Sequence, residues 1–457
     1  RPEEAFRYAE RSRARHFIDI LATQDFQLRS ERERELYEQQ SDLSRRMRSL
    51  QESLRRETEE SARQELAEEL AGVREQYRDV LTRIQAENPE LASLVTVQVA
   101  GPNEIANSLG EDVSLVTYYL MPEKMAMWVI RDGQLNVRVV DADREEFTAG
   151  VRDYRIAVQR QDLLEDVRDA AGKLYQDVFA PVEELIAGSR AVGVVPHRAL
   201  HYLSFATLHD GKDFLVSRLP MFYLPSASLM PMVIGKPVPR RPHWETLKVL
   251  AVGNPQANDP ALRLPFTVQE VDSLRRTFVQ ETDLTGERAT EKWVKANIGK
   301  FDVVHFAAHG YFNPVNPLFS ALVLAPDEEN EDDGILELHE VSGLKVNAHL
   351  VGLSACQSGV GKIENGDELV SLSRAFLYAG TNSILSTLWR VDDVSTALLM
   401  KHFYRRYAGR VRDEGLEGDE TVSKAASLRE AQLQVMRDGR HYHPVYWGAI
   451  TLTGDYR

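Results

Sequence analysis

The chain of 457 residues has one cysteine, Cys356. A single thiol excludes a disulfide framework within the chain and fits a reducing compartment, so a cytoplasmic protein is expected. Long apolar runs are missing too. No stretch of about 18 apolar residues occurs, so no helical membrane span is expected. Basic residues are in deficit: 55 Lys and Arg stand against 70 Asp and Glu, for a net charge of −15. A protein that binds nucleic acid directly would show a basic footprint. The acidic balance argues against that class and is compatible with attraction of a basic protein substrate. No CxxC or HExxH pattern and no nucleotide-binding loop is present, so neither metal nor cofactor is expected. There is no initiator Met and no signal peptide. The opening Arg1-Pro2-Glu3-Glu4 reads as mid-helix, which predicts a further N-terminal region upstream.

A hydrophobic content of 43% supplies full cores for two or three domains at this length. Residues 1–22 read as one amphipathic helix, with Ala5, Tyr8, Ala9, Phe17, Ile18 and Leu21 on its apolar face. Residues 1–27 are assigned to the end of a helical, tetratricopeptide-like repeat. One such unit cannot bury its own face, so further units or a partner against this helix are expected. In residues 28–90, Leu36, Leu43, Met47, Leu50 and Leu54 repeat at three-or-four spacing. Leu66, Leu70, Val73, Tyr77, Leu81 and Ile84 do the same, and a turn near 58–61 would make an antiparallel helical hairpin.

Residues 91–242 mix strands and helices. Val113–Tyr119, Met125–Ile130 and Leu135–Val140 read as strands, the last two joined by an Asp132-Gly133 turn. Residues 144–188 are mostly helical, and Val192–Val195 is a short strand. A basic, proline-rich connector at 237–242 marks a boundary. Residues 243–457 alternate strand and helix, which predicts a mostly parallel sheet covered by helices on both sides. The fold class is therefore α/β, preceded by a long helical hairpin.

Two apolar runs in this last part end in reactive residues. Val303-Val304-His305-Phe306-Ala307-Ala308 leads to His309-Gly310. Leu350-Val351-Gly352-Leu353-Ser354-Ala355 leads to Cys356. Both read as short buried strands closed by a turn. In open α/β sheets the working groups lie at the carboxyl ends of parallel strands. Two neighbouring strands of this kind would bring a thiol and an imidazole together, the arrangement a cysteine nucleophile needs. The spacing from His309 to Cys356 matches the caspase-type pattern, with the His about 50 residues upstream. His305 reads as a packed, hydrogen-bonded core residue. A zinc site from His305, His309 and Cys356 lacks a supporting motif. The backbone amides of Gly310 and Cys356 are the expected oxyanion hole, each donor contributing about 3 kcal/mol to the transition state. Asp302 and Glu340 are given no role.

Longer motifs in fixed order extend the pattern. They include Val304–Gly310, Leu353–Gly359, Gly366-Asp367-Glu368-Leu369 through Gly380, Ser386–Asp393, Val194–Phe205 and Tyr223–Ser228. On these stretches the sequence, from about residue 105 to 457, resembles CHAT-domain proteins. These are bacterial caspase-like domains found beside tetratricopeptide repeats and related to separase. The resemblance implies a caspase-like fold, with 91–242 as a pseudo-caspase-like part and 243–457 as the catalytic part. It implies a His309–Cys356 dyad and proteolysis of a dedicated protein partner in bacterial defence or regulated proteolysis. It also implies a basic P1 residue, for which Asp367 is the first candidate carboxylate and Asp393 the second. Asp392 competes with them, and Trp389 is a candidate pocket wall. An activator or partner protein on the N-terminal helices is expected. The competing reading is a catalytically silent scaffold that binds partners through its helical region. A thiol hydrolase or acyltransferase for small molecules is a third.

Overall fold

Three near-continuous apolar runs, Lys248–Gly253 (β6), Val303–Ala307 (β8) and Leu350–Leu353 (β12), lie side by side at the heart of one sheet. Strands buried on both faces need apolar side chains at every position, and parallel sheets under helices provide that setting. In the computed structural model, the described residues are 2–21, 60–87, 100–235, 245–253, 267–311, 320–326, 332–354, 375–377, 379–409 and 423–457, with residues 39, 43, 46, 50, 264 and 373.

The other strands are Val113–Leu120 (β1), Lys124–Arg131 (β2), Gln134–Asp141 (β3), Ala191–Val195 (β4), Met221–Tyr223 (β5), Gln280–Thr285 (β7), His309–Tyr311 (β9), Ala321–Val323 (β10), Ile335–Glu337 (β11), Ser383–Thr387 (β13) and Ile450–Gly454 (β14). Among the described residues, eleven of the fourteen strands form one sheet in the order β3-β2-β1-β4-β5-β14-β13-β12-β8-β6-β7. Neighbours run parallel except at β1–β2, β2–β3 and β13–β14. Two parallel blocks thus meet back to back, and β14 joins them by pairing with β5 on one side and β13 on the other. The strands of 91–242 and of 243–457 therefore share a single sheet. The β2–β3 hairpin turns through Asp132 and Gly133, both at positive φ (48° and 77°), the two left-handed positions a tight hairpin turn requires.

The helices are Pro2–Leu21 (α1), Glu60–Glu87 (α2), Pro102–Leu109 (α3), Arg144–Arg160 (α4), Leu164–Val178 (α5), Met230–Gly235 (α6), Thr267–Thr277 (α7), Glu291–Asn297 (α8), Leu338–Gly343 (α9), Asp393–Tyr407 (α10) and Lys424–Arg437 (α11). The chain divides into two compact units, Arg1–Glu10 with Val99–Arg457, and Arg11–Gln98. In the smaller unit Leu50, Leu70 and Val73 form their own core, with Leu43 and Leu66 packed on it. Members of the two leucine series thus meet across the seam their spacing implies.

In the larger unit the first turns of α1 are covered by the chain itself. Phe6 is fully buried and meets Trp128 edge-on at 6.1 Å. The buried Glu10 carboxylate accepts from the hydroxyls of Ser226 (2.7 Å) and Ser228 (2.9 Å) and from the Ser228 amide (3.0 Å). Of the apolar face expected for this helix, Ala9 is buried while Ala5 and Tyr8 are exposed; the buried Phe6 and Glu10 were not assigned to it.

Candidate active site

β8 and β12 are parallel neighbours, with Gly352 opposite His305 and Leu353 opposite Phe306. Beyond the last paired residues the Ser354 amide still bonds the Phe306 carbonyl, at 2.8 Å. β8, the strand before His309, and β12, the strand before residue 356, therefore end side by side. Cys356 and Asp367 lie outside the described residues.

His309 differs in one respect from the sequence reading. It does not end β8, which stops at Ala307. It opens β9, the first strand of a separate three-stranded sheet, where His309 faces Val323 and Gly310 faces Leu322. The ring is half-buried.

Beneath these segments lies a buried polar chain that sequence reasoning did not find. His305 is fully buried. Its Nε2 stands 2.9 Å from Glu270 Oε2 and its Nδ1 3.1 Å from the Tyr404 hydroxyl. The other oxygen of Glu270 accepts from the Ser354 hydroxyl at 3.1 Å. Burial and the nearby Glu270 carboxylate push the Tyr404 phenol far above its ordinary value, so it stays protonated. With His305 a neutral imidazole and Glu270 a carboxylate, Nε2–H donates to Glu270 and Nδ1 accepts from Tyr404. Each donor in the chain has an acceptor, which is the condition for keeping such groups in a core. The signal for Glu270 was present in the sequence. It falls on the buried stripe of α7 with Thr267, Val271, Leu274 and Thr277, and a carboxylate at an apolar position demands a partner.

Asp392 and Asp393 separate into different roles. Asp392 caps α10, accepting from the Ser395 amide at 2.9 Å. Asp393, in the first turn, is half-buried. Burial raises its pKa, as do the carboxylates of Glu270 and Asp392, while Arg390 and His309 oppose them. Asp393 is therefore within electrostatic reach of both His309 and Glu270. Trp389 requires a correction. It is 1% exposed and its indole N–H donates to the Val445 carbonyl at 3.4 Å. The ring packs in the core and presents no open pocket wall.

Asp302 lies at the opposite, amino-terminal end of β8, where its carboxylate accepts from the Lys248 amide at 2.8 Å. Glu340 converges with Glu291 and Asp332, but the Lys295 ammonium already stands among the three, at 2.7, 2.5 and 2.8 Å respectively. That cluster carries its own cation.

A family model for the CHAT domain matches residues 168–455. Tetratricopeptide repeat protein 28 of Mus musculus is 25% identical over 335 residues, covering 62% of this chain and 13% of that protein. The Homo sapiens protein of the same name is 23% identical, with the same coverage. This chain thus corresponds to a small part of the length of those relatives. Among solved structures, the separase–securin complex of Saccharomyces cerevisiae aligns over 81% of this chain and 31% of that one, with a TM-score of 0.47 and 10% identity. The Arg-specific cysteine proteinase gingipain R aligns over 68% and 75%, with a TM-score of 0.35 and 12% identity. The CHAT match takes in more than half of the 457 residues, and the chain belongs to the CHAT domain family.

Proposed function

We propose that the chain is a cysteine endopeptidase of the caspase and separase type, with Cys356 as nucleophile and His309 as general base and acid. The observation that supports this reading is the parallel pairing of β8, the strand before His309, with β12, the strand before Cys356, so that the two strands end side by side. Parallel strands ending together are where this class of fold assembles its chemistry.

The proposed steps follow from the two side chains. His309 takes the thiol proton, and the Cys356 thiolate attacks the scissile carbonyl carbon. The amides of Gly310 and Cys356 are the proposed donors to the oxyanion. As the C–N bond breaks, the imidazolium returns its proton to the leaving amine, leaving a thioester. His309 then deprotonates a water, which hydrolyses the thioester and restores the thiol.

For the P1 pocket the reading favours a basic side chain. A half-buried carboxylate pairs with Arg or Lys by charge-assisted hydrogen bonds. Asp393 has support in its nearness to His309 and its place after β13; Asp367 remains the other candidate. The substrate is proposed to be a dedicated protein, in regulated proteolysis such as a bacterial defence system in the cytoplasm. An activator or partner protein is proposed to engage the N-terminal helices.

A peptide library varied at P1 tests this reading. The wild-type chain should cut after Arg or Lys, and Cys356→Ala should cut nothing. Cleavage that persists in Cys356→Ala would refute the nucleophile assignment.

A further inference from the structure

We propose that Glu270 is a positioning residue for the dyad: one buried carboxylate that ties the segment bearing His309 to the segment bearing Cys356. The proposal rests on the cysteine-peptidase reading and adds a residue to it.

The geometry is that of a clamp. Oε2 holds His305 at 2.9 Å, four residues before His309. Oε1 holds the Ser354 hydroxyl at 3.1 Å, two residues before Cys356. His305 lies within β8 and Ser354 one residue past β12, and the two contacts add to the backbone bonds there, of which the Ser354 amide to the Phe306 carbonyl, at 2.8 Å, is the last. Ser354 is the last described residue before Cys356, so its side chain fixes the end of the described segment. The Tyr404 hydroxyl, 3.1 Å from His305 Nδ1, closes the far end and sets which imidazole nitrogen carries the proton toward Glu270.

The carboxylate is also the right group for the job. It offers two oxygens at a fixed angle, so a single residue can accept from two strands at once. Hydrogen bonds to an ionised acceptor are shorter and stronger than neutral ones. A nucleophile and base displaced by as little as 1 Å can lose about 100-fold in rate, so holding both strand ends on one rigid helix is worthwhile. The buried face of α7 anchors the clamp through Val271 and Leu274.

The titratable groups that face it are His305 on β8 and Tyr404 and Asp393 on α10; Asp392 and Arg390 act on Asp393 in turn. His309 also acts on Asp393. Removing the charge of Glu270 therefore changes the field at Asp393, on which His309 also acts, besides loosening both segments.

The test uses the full chain and iodoacetamide. Cys356 is the only cysteine, so alkylation followed by mass reports one site. The pH dependence of its rate gives the apparent pKa of the thiol, since the thiolate is the reacting form. Glu270→Gln, judged folded by its thermal midpoint, should raise that apparent pKa by about one unit and slow alkylation at pH 7 about tenfold. Glu270→Asp should recover part of the shift. Ser354→Ala removes only one arm of the clamp and should shift the profile in the same direction by less. An overlay of the folded Glu270→Gln profile on the wild-type one overturns the proposal, since a residue that merely supports the fold would not move it. Should Glu270→Gln fail to fold, Ser354→Ala decides, and an unshifted profile there overturns the proposal equally. His309→Ala separates the two readings. If it leaves the profile unmoved, the dyad itself is wrong. If it moves the profile and the folded Glu270→Gln does not, only the role of Glu270 falls.

Discussion

Gly352 lies directly across the sheet from His305, and the space above its α-carbon belongs to other atoms. A β-carbon at 352 would stand 2.7 Å from His305 Nδ1 and 2.6 Å from the Tyr404 hydroxyl. The glycine between Val351 and Leu353 thus admits the His305–Tyr404 pair to the interior. Both neighbours are anchored rings rather than flexible tips, so neither can yield cheaply.

Gly352→Ala should therefore destabilise the protein by about 1–3 kcal/mol in a denaturant titration, the range for overpacking a filled core. Combining it with Tyr404→Phe, which removes one of the two clashing atoms, should recover part of that loss. Additive losses would show that the pair does not fill the space.

Arg155 joins the first half of the larger unit to the strand that leads to Asp393. Its guanidinium is buried, lies 5.2 Å over the Tyr202 ring and donates to the Leu388 carbonyl, while Nε and Nη1 have no hydrogen-bond partner among the described residues. Burial lowers its pKa to about 10. A buried cation without a carboxylate is costly. Arg155→Met removes that cost and orphans one carbonyl, so unfolding free energy should change by no more than about 1 kcal/mol. Peptidase turnover should fall severalfold, because residues 388–393 lose their anchor. Turnover that tracks stability alone would contradict this.

Glu281 makes stability depend on pH. Burial and the nearby Asp283 push its carboxyl up to about 7, and Oε1 has no hydrogen-bond partner among the described residues. Below pH 4.5 the group is protonated folded or unfolded, and it costs nothing. As pH rises from 4.5 to 7, the unfolded chain ionises first, so stability falls, and the deficit is complete above 7. Glu281→Gln should raise stability at pH 8 by about 1 kcal/mol, well below a full conversion of the shift because water screens a half-exposed group. The gain should vanish near pH 4. An equal gain at both values would exclude the linkage.

Asp392 and Asp393 are adjacent in sequence and should behave differently. Asp392→Ala removes the α10 cap and should cost about 1 kcal/mol of stability while P1 preference holds. Asp393→Asn removes a carboxylate that burial and its acidic neighbours already disfavour. Its thermal midpoint should stay close to wild type, and its rate on P1 Arg substrates should fall tenfold or more. Full activity of Asp393→Asn on P1 Arg would pass the pocket to another residue, Asp367 being the remaining candidate.

What was legible in the sequence follows from burial. β6, β8 and β12 are buried on both faces, so they appear as near-continuous apolar runs, β8 being broken by His305. β7, Gln280-Glu281-Thr282-Asp283-Leu284-Thr285, escapes notice because it is the polar edge of the sheet, where charge discourages further pairing. β14 was missed as well. Its alternating Thr451 and Thr453 read as a half-exposed segment, yet the strand is buried throughout because it fills the junction between the two parallel blocks. Glu270 lies 35 residues from His305, and no local pattern connects them. Only the packing of α7 on the sheet does.

The central claim is that His309 activates Cys356. A peptide carrying Arg or Lys at P1 and a thiol-reactive ketone warhead tests it most directly, with the labelled residue read by mass. The account predicts labelling of Cys356 in the wild-type chain and a loss of at least about 100-fold in rate in folded His309→Ala, the scale of a missing general base. Equal labelling of Cys356 in wild type and His309→Ala would contradict it.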